Sequence, residues 1–440
     1  GMSTDENDAV KYRTGLGGWV DWNAAPRLTF HIDAQYWGEA LPNYLDSAAR
    51  ATQVVPGEGY AEGDPGGILT HYDWNASVDY KAGDYFHLTL GRGKNFFGEG
   101  YRSLFLSDEA YSYPYFRITT TAWHIRYVNL FALMDDIRGA GGDPSQFGKK
   151  FTSMHYLSWN ATKRLNVGLF ESIVWQDNDP KYPRGFDMNY VNPVIFYRPV
   201  EFGLGSPDNA LLGFALNMKV GRRALIYSQL MLDEFLLKNV KAGLGWYANK
   251  QGLQLGVVAH DAFRQKGLTL RGEFDYIRPF MYTHTDTRQN YTHHGQPLAH
   301  PYGSNCWEAL GQGEWRTGNW LLSEVISYAY MGQDTGRTTR SSYGNNIFLP
   351  ESARPPNPDF STQNFGYFVG EPAHMTVLQS ELRVGRVVEA RSGLMLELAW
   401  TFRAEDHEVG ESLMTNYIRV GLSANIRDRH PFQTVRYVLN

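Results

Sequence analysis

The sequence predicts an all-β fold, a transmembrane antiparallel β-barrel of about eighteen strands, built as a single domain over residues 1–440. Three observations predict it. Apolar and polar residues alternate with period two along most of the chain, as in strands that have one apolar and one polar face. Short polar turns and long loops separate these strands, as in a barrel with short turns at one end and long loops at the other. The composition is aromatic-rich without being greasy: 28 Tyr, 24 Phe and 12 Trp stand beside a hydrophobic content of 42% and a mean hydropathy of -0.42. No run approaches the ~18 consecutive apolar residues of a spanning helix, so any membrane span must be made of strands.

Taken in order, Leu28, Phe30, Ile32, Ala34 and Tyr36 alternate with Thr29, His31, Asp33 and Gln35. Tyr72, Trp74, Ala76, Val78 and Tyr80 alternate with Asp73, Asn75, Ser77 and Asp79. Leu268, Leu270, Phe274 and Tyr276 interleave with Thr269, Arg271, Glu273 and Asp275, and Leu394, Leu396, Leu398, Trp400 and Phe402 with Met395, Glu397, Thr401 and Arg403. Hairpin connections are expected at Asn23–Pro26, Lys81–Gly83, Ala161–Arg164, Gly221-Arg222, Asn249–Gln251, Thr317-Gly318 and Ala390–Ser392. Long loops are expected over residues 38–70, 94–116, 177–209, 278–304 and 333–374. Trp19, Trp22, Tyr36, Trp37, Tyr80, Tyr85, Trp159 and Trp175 lie near strand ends, where aromatic girdles form.

Residues 1–14 are expected to be a flexible N-terminal segment. The polar start has no signal peptide and resembles a trimmed terminus. A short turn between the first two strands conflicts with a chain entering from the short-turn side, so either an upstream strand or a miscount is expected. The same alternation also fits a soluble sandwich or propeller with its apolar faces turned inward.

The alternation breaks at Gly91-Arg92-Gly93-Lys94-Asn95-Phe96-Phe97-Gly98-Glu99-Gly100-Tyr101-Arg102-Ser103-Leu104-Phe105-Leu106-Ser107-Asp108. Glycines, cations, carboxylates, an amide and aromatic rings crowd together there. The mixture suits a polyhydroxylated or anionic ligand, or a packed polar plug. It is not a dinucleotide fingerprint or a P-loop, because no helix follows and no Gly-Lys-Ser/Thr is present. Net charge is -5 with no basic block, which argues against nucleic acid as a partner. The single cysteine, Cys306, excludes an intrachain disulfide and any multi-cysteine metal site.

From Phe97 to Asp108, followed by Tyr113-Pro114, the stretch resembles the signature of the Wzi-type capsule-assembly outer-membrane proteins. In that family an aromatic-Gly-x-Gly-aromatic segment leads into Ser-Leu-x-Leu-Ser and a proline-containing loop. The run Arg198-Pro199-Val200-Glu201-Phe202-Gly203-Leu204-Gly205-Ser206-Pro207-Asp208-Asn209-Ala210-Leu211-Leu212-Gly213 is a second point of resemblance. The run from Tyr291 through His293-His294-Gly295 and His300-Pro301 to Asn305 is similar to the Bacteroidota branch of the family, whose RemB-like members are linked with gliding motility. Phe96-Phe97 departs from a Trp-rich pair of the enterobacterial pattern. The resemblance implies an outer-membrane location, a lumen largely plugged by loops, and a role in attaching capsular or extracellular polysaccharide to the cell surface.

Arg92, Lys94, Asn95, Glu99, Tyr101, Arg102 and Asp108 are candidate ligand-binding residues. Arginine forks hold carboxylates at two points, as uronic acids require. The alternative is a lumenal ion-pair network that holds the loop in the barrel. His293, His294 and His300, with His284, cluster in the 278–304 loop. Their spacing is not that of a zinc site, and they are expected to bond neighbours or sugars on an outer loop. Asp208 and Asn209 are expected to cap a turn. Tyr343, Phe348, Phe360, Phe365, Tyr367 and Phe368 either stack on sugars or fold their loop over the mouth.

No nucleophile elbow or marked acid pair is present, so no catalysis, cofactor or metal is expected. The expected partners are polysaccharide, outer-membrane lipid and other outer-membrane proteins. Adhesion, gliding or secretion assembly, and a porin-like channel, are the alternative roles.

Overall fold

A computed structural model describes residues 2–3, 11–63, 67–178, 185–194, 208–335, 341–356, 359–360, 362–390, 393–423 and 434–435. The wall is one eighteen-stranded antiparallel sheet. Its strands are β1 (Met2–Ser3), β2 (Arg13–Ala25), β3 (Leu28–Glu39), β4 (Leu69–Ala82), β5 (Phe86–Gly93), β7 (Tyr113–Ala122), β8 (Ile125–Asp136), β9 (Gly148–Asn160) and β10 (Leu165–Gln176), then β11 (Asn209–Val220), β12 (Ala224–Leu232), β13 (Gln251–His260), β14 (Leu268–Ile277), β17 (Cys306–Thr317), β18 (Trp320–Gln333), β19 (Ala373–Glu389), β20 (Leu394–His407) and β21 (Leu413–Ser423). Inside the ring lie β6 (Phe96–Phe97) and the small hairpin of β15 (Thr292–His293) and β16 (Gln296–Pro297). Phe96–Phe97 also pairs in parallel with β22 (Thr434–Val435).

Each long strand pairs with the next along the chain, so the barrel is a meander. β1 pairs antiparallel with β21, Met2 opposite Ile418 and Ser3 opposite Tyr417. This is the upstream strand that the short turn between β2 and β3 called for. The ordered wall begins inside the segment expected to be flexible, because Arg13 and Thr14 pair with Glu39 and Gly38. One expected hairpin turn is not one. Asn249 and Lys250 close the longer loop of residues 233–250, where the Asn249 side chain accepts from the Leu236 N–H at 2.9 Å. The short connections that sequence missed are Trp123-His124, which turns at a Trp with φ +52°, residues 261–267 and residues 408–412.

Burial decides between a barrel and a soluble sandwich. Along β4, Asp73, Asn75, Ser77 and Asp79 are buried, while Tyr72, Trp74 and Tyr80 are 53%, 42% and 46% exposed. The buried polar side chains satisfy one another: Asn75 Nδ2 donates to Asp33 Oδ1 at 2.9 Å, and Ser77 and Thr89 each donate to Asp79 at 2.7 Å. Polar groups inside and apolar groups outside is the polarity of a wall that faces lipid.

Two stretches depart from this pattern for a physical reason. On β8 and β9, Val128, Leu130, Met134, Met154 and Tyr156 face inward and are buried, because the interior there is an apolar core. Trp175, placed by sequence in an aromatic girdle, is wholly buried instead. The segment 185–194 folds over the outside of β8–β10, packing the Tyr190 ring tilted against Trp175 with ring centroids 4.9 Å apart. The Tyr190 carbonyl accepts from Ser153, the Asn192 carbonyl bonds His155 at 3.1 Å, and Tyr127 donates to the Pro193 carbonyl at 2.7 Å.

Candidate ligand-binding site

The 94–112 loop leaves the wall after Gly93 and fills the lumen. Phe97, Leu104, Phe105 and Leu106 are buried in its apolar centre, with Phe97 stacked on Tyr156 at 5.3 Å and Phe105 on Phe170 at 4.9 Å. Ser103 Oγ donates to the Phe97 carbonyl at 2.6 Å and closes the loop on itself. The 278–305 loop packs over it, as Tyr282 and Tyr291 donate to the carbonyls of Leu104 and Phe105 at 3.0 and 2.7 Å.

Side chains of the far wall hold this plug. Glu273 accepts the Tyr101 N–H at 2.7 Å and the Arg102 N–H at 2.8 Å, and also receives the Tyr227 hydroxyl at 2.6 Å. Gln229 Oε1 accepts the Leu104 N–H at 2.7 Å. The Arg102 guanidinium spans Glu308 and Glu109. Burial works to lower the Arg102 pKa, but Glu308 and then Glu109 outweigh it, so the pKa is raised and the charge is fixed.

The remaining predicted residues are distributed around this core. Asn95 Oδ1 accepts from Arg117 at 2.9 Å, and Lys94 Nζ donates to the Gly57 and Asp108 carbonyls at 2.6 and 3.3 Å. The Glu99 carbonyl accepts from Arg271 at 2.6 Å. Arg92 lies apart, paired with Asp73 at 2.9 Å. His293, His294 and His300 are buried inside the barrel rather than on an outer loop. Burial, then the neighbouring His294, holds the His293 pKa well below the usual range. Burial likewise pushes His294 down to about 4, with Asp135 working against it. Asp208 accepts from Tyr190 and Gln289, and Asn209 donates to the Gln289 carbonyl at 2.9 Å. Arg198 through Pro207 lie outside the described residues.

Sequence reasoning missed Glu273, Gln229 and Glu308 as anchors. Each occupies an ordinary inward position of an alternating strand, and only the loop lying across the lumen gives it a partner.

His300, Asp275 and Glu308 bring three potential ligand atoms within 4.8 Å, the one such group among the described residues. Glu308 gives both oxygens to Arg102 and one of them also to His300 at 3.1 Å. With a guanidinium already on that carboxylate, the group is an ion-pair network rather than an open metal centre.

Two cavities lie on either side of the plug, one lined by Glu109 and the other by Arg102. At the long-loop end a cleft of about 390 Å³ lies between α1 (Asn43–Thr52), the β15–β16 hairpin and the 345–348 segment. The Tyr302 and Phe348 rings, the Gln296, Asn345 and Asn346 amides and the Glu109 carboxylate line it. On the other side of the plug, a second cavity of about 390 Å³ lies between Tyr101, Arg102 and the inner faces of β17–β19, among Gln312, Glu314, Gln379 and Arg383.

A meander barrel with polar side chains turned in, apolar ones turned out and its own loops in the lumen is a plugged barrel of the outer-membrane type. No protein-family profile and no curated protein matches the sequence. Among solved structures the chain is similar to Wzi of Escherichia coli, an outer-membrane protein involved in group 1 capsule assembly and a carbohydrate-binding β-barrel. That likeness has a TM-score of 0.50 and 13% identity, covering 92% of this chain and 83% of that one. It is also similar to OccK5 (OpdH) of Pseudomonas aeruginosa, with a TM-score of 0.47 and 8% identity over 97% of this chain and 95% of that one. At these identities the likeness is one of fold.

Proposed function

We propose that the protein sits in the outer membrane, binds capsular or extracellular polysaccharide at its outer face and helps attach it to the cell surface, without catalysis. The observation that carries this reading is the cleft at the long-loop end. Its two aromatic rings, with the Asn346 amide and the Glu109 carboxylate beside them, match what a glycan offers, namely apolar ring faces and hydroxyls that both donate and accept. The anchored plug beneath gives the cleft a fixed floor. The sequence resemblance to capsule-assembly proteins points the same way, and assignment to the gliding-linked branch rests on the Tyr291–Asn305 stretch alone.

The test is saturable binding of the detergent-purified barrel to polysaccharide extracted from its source cells, compared with a Tyr302→Ala, Phe348→Ala variant. Folding of both is checked by heat-modifiable gel mobility. Binding that weakens in a folded variant supports the reading, and binding that is unchanged overturns the cleft as its site. The cavity beyond Arg102 favours a second reading, a porin-like passage. Large steady conductance in planar bilayers is the result expected of a porin, and silence that of a closed barrel.

A further inference from the structure

The wall is not of even height. β4 and β8 run on toward the long-loop end, but the two strands between them stop short. Ala76, opposite Arg92, is the outermost β4 residue paired with β5, and Ala132, opposite Tyr115, is the outermost β8 residue paired with β7. Residues 71–75 and 133–136 therefore flank a lateral window where their wall partners are β3 and β9, and above it Thr70 pairs with Glu62.

Side chains fill the window from within. Tyr111 donates to the Tyr72 carbonyl at 2.8 Å, and the Ser112 hydroxyl shares its one hydrogen between Asp73 Oδ2 at 2.7 Å and Asn75 Oδ1 at 2.9 Å. Asp135 pairs with the inner hairpin, its N–H donating to His293 Nδ1 at 3.0 Å and its carbonyl accepting the His294 N–H at 2.8 Å. The Tyr111 and His294 rings lie 4.7 Å apart.

Arg92 forms the sill. Thr89 faces inward to Asp79, so Leu88, Leu90 and Arg92 face outward by alternation. The strand register sets Arg92 in the same row as Ile32 and Ala76, on the lipid side of the wall. An arginine on the lipid side of a barrel is destabilising, most of all toward the bilayer midplane, and here Asp73 pairs with it at 2.9 Å. Its guanidinium lies 4.5 Å from the Trp74 ring and 4.7 Å from the Tyr111 ring. In front of it, a groove of about 750 Å³ crosses the outer wall, lined by Trp22, Ile32, Trp74, Val78 and Leu90, with Ala76 as its floor.

We propose that the window binds a phosphorylated glycolipid of the outer leaflet, with an acyl chain in the groove and a phosphate on Arg92. The groove is apolar and faces the bilayer, so its occupant is a lipid chain. Arg92 Nη1 is given to Asp73 and the Trp74 carbonyl, so an anionic head is taken at two points by the Nε–Nη2 edge of the guanidinium.

The test is native mass spectrometry of the detergent-purified barrel titrated with lipid A, and separately with phosphatidylglycerol. Wild type, Arg92→Gln and Ala76→Trp are compared, the last filling the groove floor without touching Arg92. Wild type is expected to prefer lipid A by about tenfold or more, and each variant to lose most of that preference. Equal binding of the two lipids by wild type, or an Ala76→Trp variant that binds lipid A as wild type does, overturns the proposal. If Arg92→Gln does not fold, Ala76→Trp decides alone. Glycan binding at the mouth is a separate readout and is expected to be unaffected.

Discussion

Arg102 meets Glu308 two-on-two, Nε donating to Oε2 at 3.0 Å and Nη2 to Oε1 at 3.3 Å. The carboxylate is fully buried, and its loss leaves the Arg102 guanidinium with Glu109 alone. Glu308→Ala is expected to destabilise the barrel by about 1–3 kcal/mol. The double variant Arg102→Met, Glu308→Leu is expected to recover much of that loss. Thermal unfolding in detergent measures both, and a single variant as stable as wild type would show that the pair bears no strain of the fold.

Glu273 is the plug's other fastener, taking two successive backbone N–H groups that nothing else in the lumen accepts among the described residues. Glu273→Gln keeps the shape but offers one acceptor oxygen instead of two. A loss of about 1–3 kcal/mol is expected, confined to the plug. Hydrogen exchange should speed up at Tyr101 and Arg102 and stay slow on β13 and β14.

Acid is expected to loosen the inner hairpin. His294 is held neutral in the fold by burial, its pKa pushed down to about 4. Between an ordinary value near pH ~6.5 and pH ~4 the unfolded chain takes up a proton that the folded chain refuses, so stability rises with pH across that window. The contribution is complete above pH ~6.5 and falls by about 3 kcal/mol as pH drops through ~4. His293 shifts in the same direction. His294→Asn does not titrate and tolerates the positive φ of +51° found there. Its melting temperature should fall less than that of wild type between pH 7.5 and 4.5.

Trp175 joins the wall to the segment folded over its outside. Truncation to alanine empties the space between Phe151 and Tyr190, at an expected cost of about 3–5 kcal/mol. Limited proteolysis should then cut near residues 185–194 first. A variant that melts as wild type does and resists cleavage there would mean that this segment is held by its hydrogen bonds alone.

The wall was legible from sequence because each strand carries its own evidence. Tyr72 to Tyr80 announces both its period and its two faces without reference to any neighbour. The 91–108 break was legible for the same reason, as a local stop in the alternation. What each of its residues does was not legible, because the answer lies on other strands. Glu273 reads as one more inward polar residue until Tyr101 lies on it, and Trp175 reads as a girdle residue until Tyr190 covers it. The histidines misled in the other direction: a polar, proline-marked loop looks external, but a barrel lumen is an interior that loops can enter.

The plug's contacts also set an order of events. Wall strands pair with their chain neighbours, so the barrel can form hairpin by hairpin with short loop closures. Arg102 must wait for Glu308, 206 positions later, and Tyr101 for Glu273, 172 positions later. Contacts so distant in sequence form late. Until most of the wall exists, the 94–112 loop has no seat and its phenylalanines remain uncovered. Assembly of this barrel is therefore expected to end with a slow docking step, in which the lumen is emptied of water and shut by a segment made near the beginning of the chain.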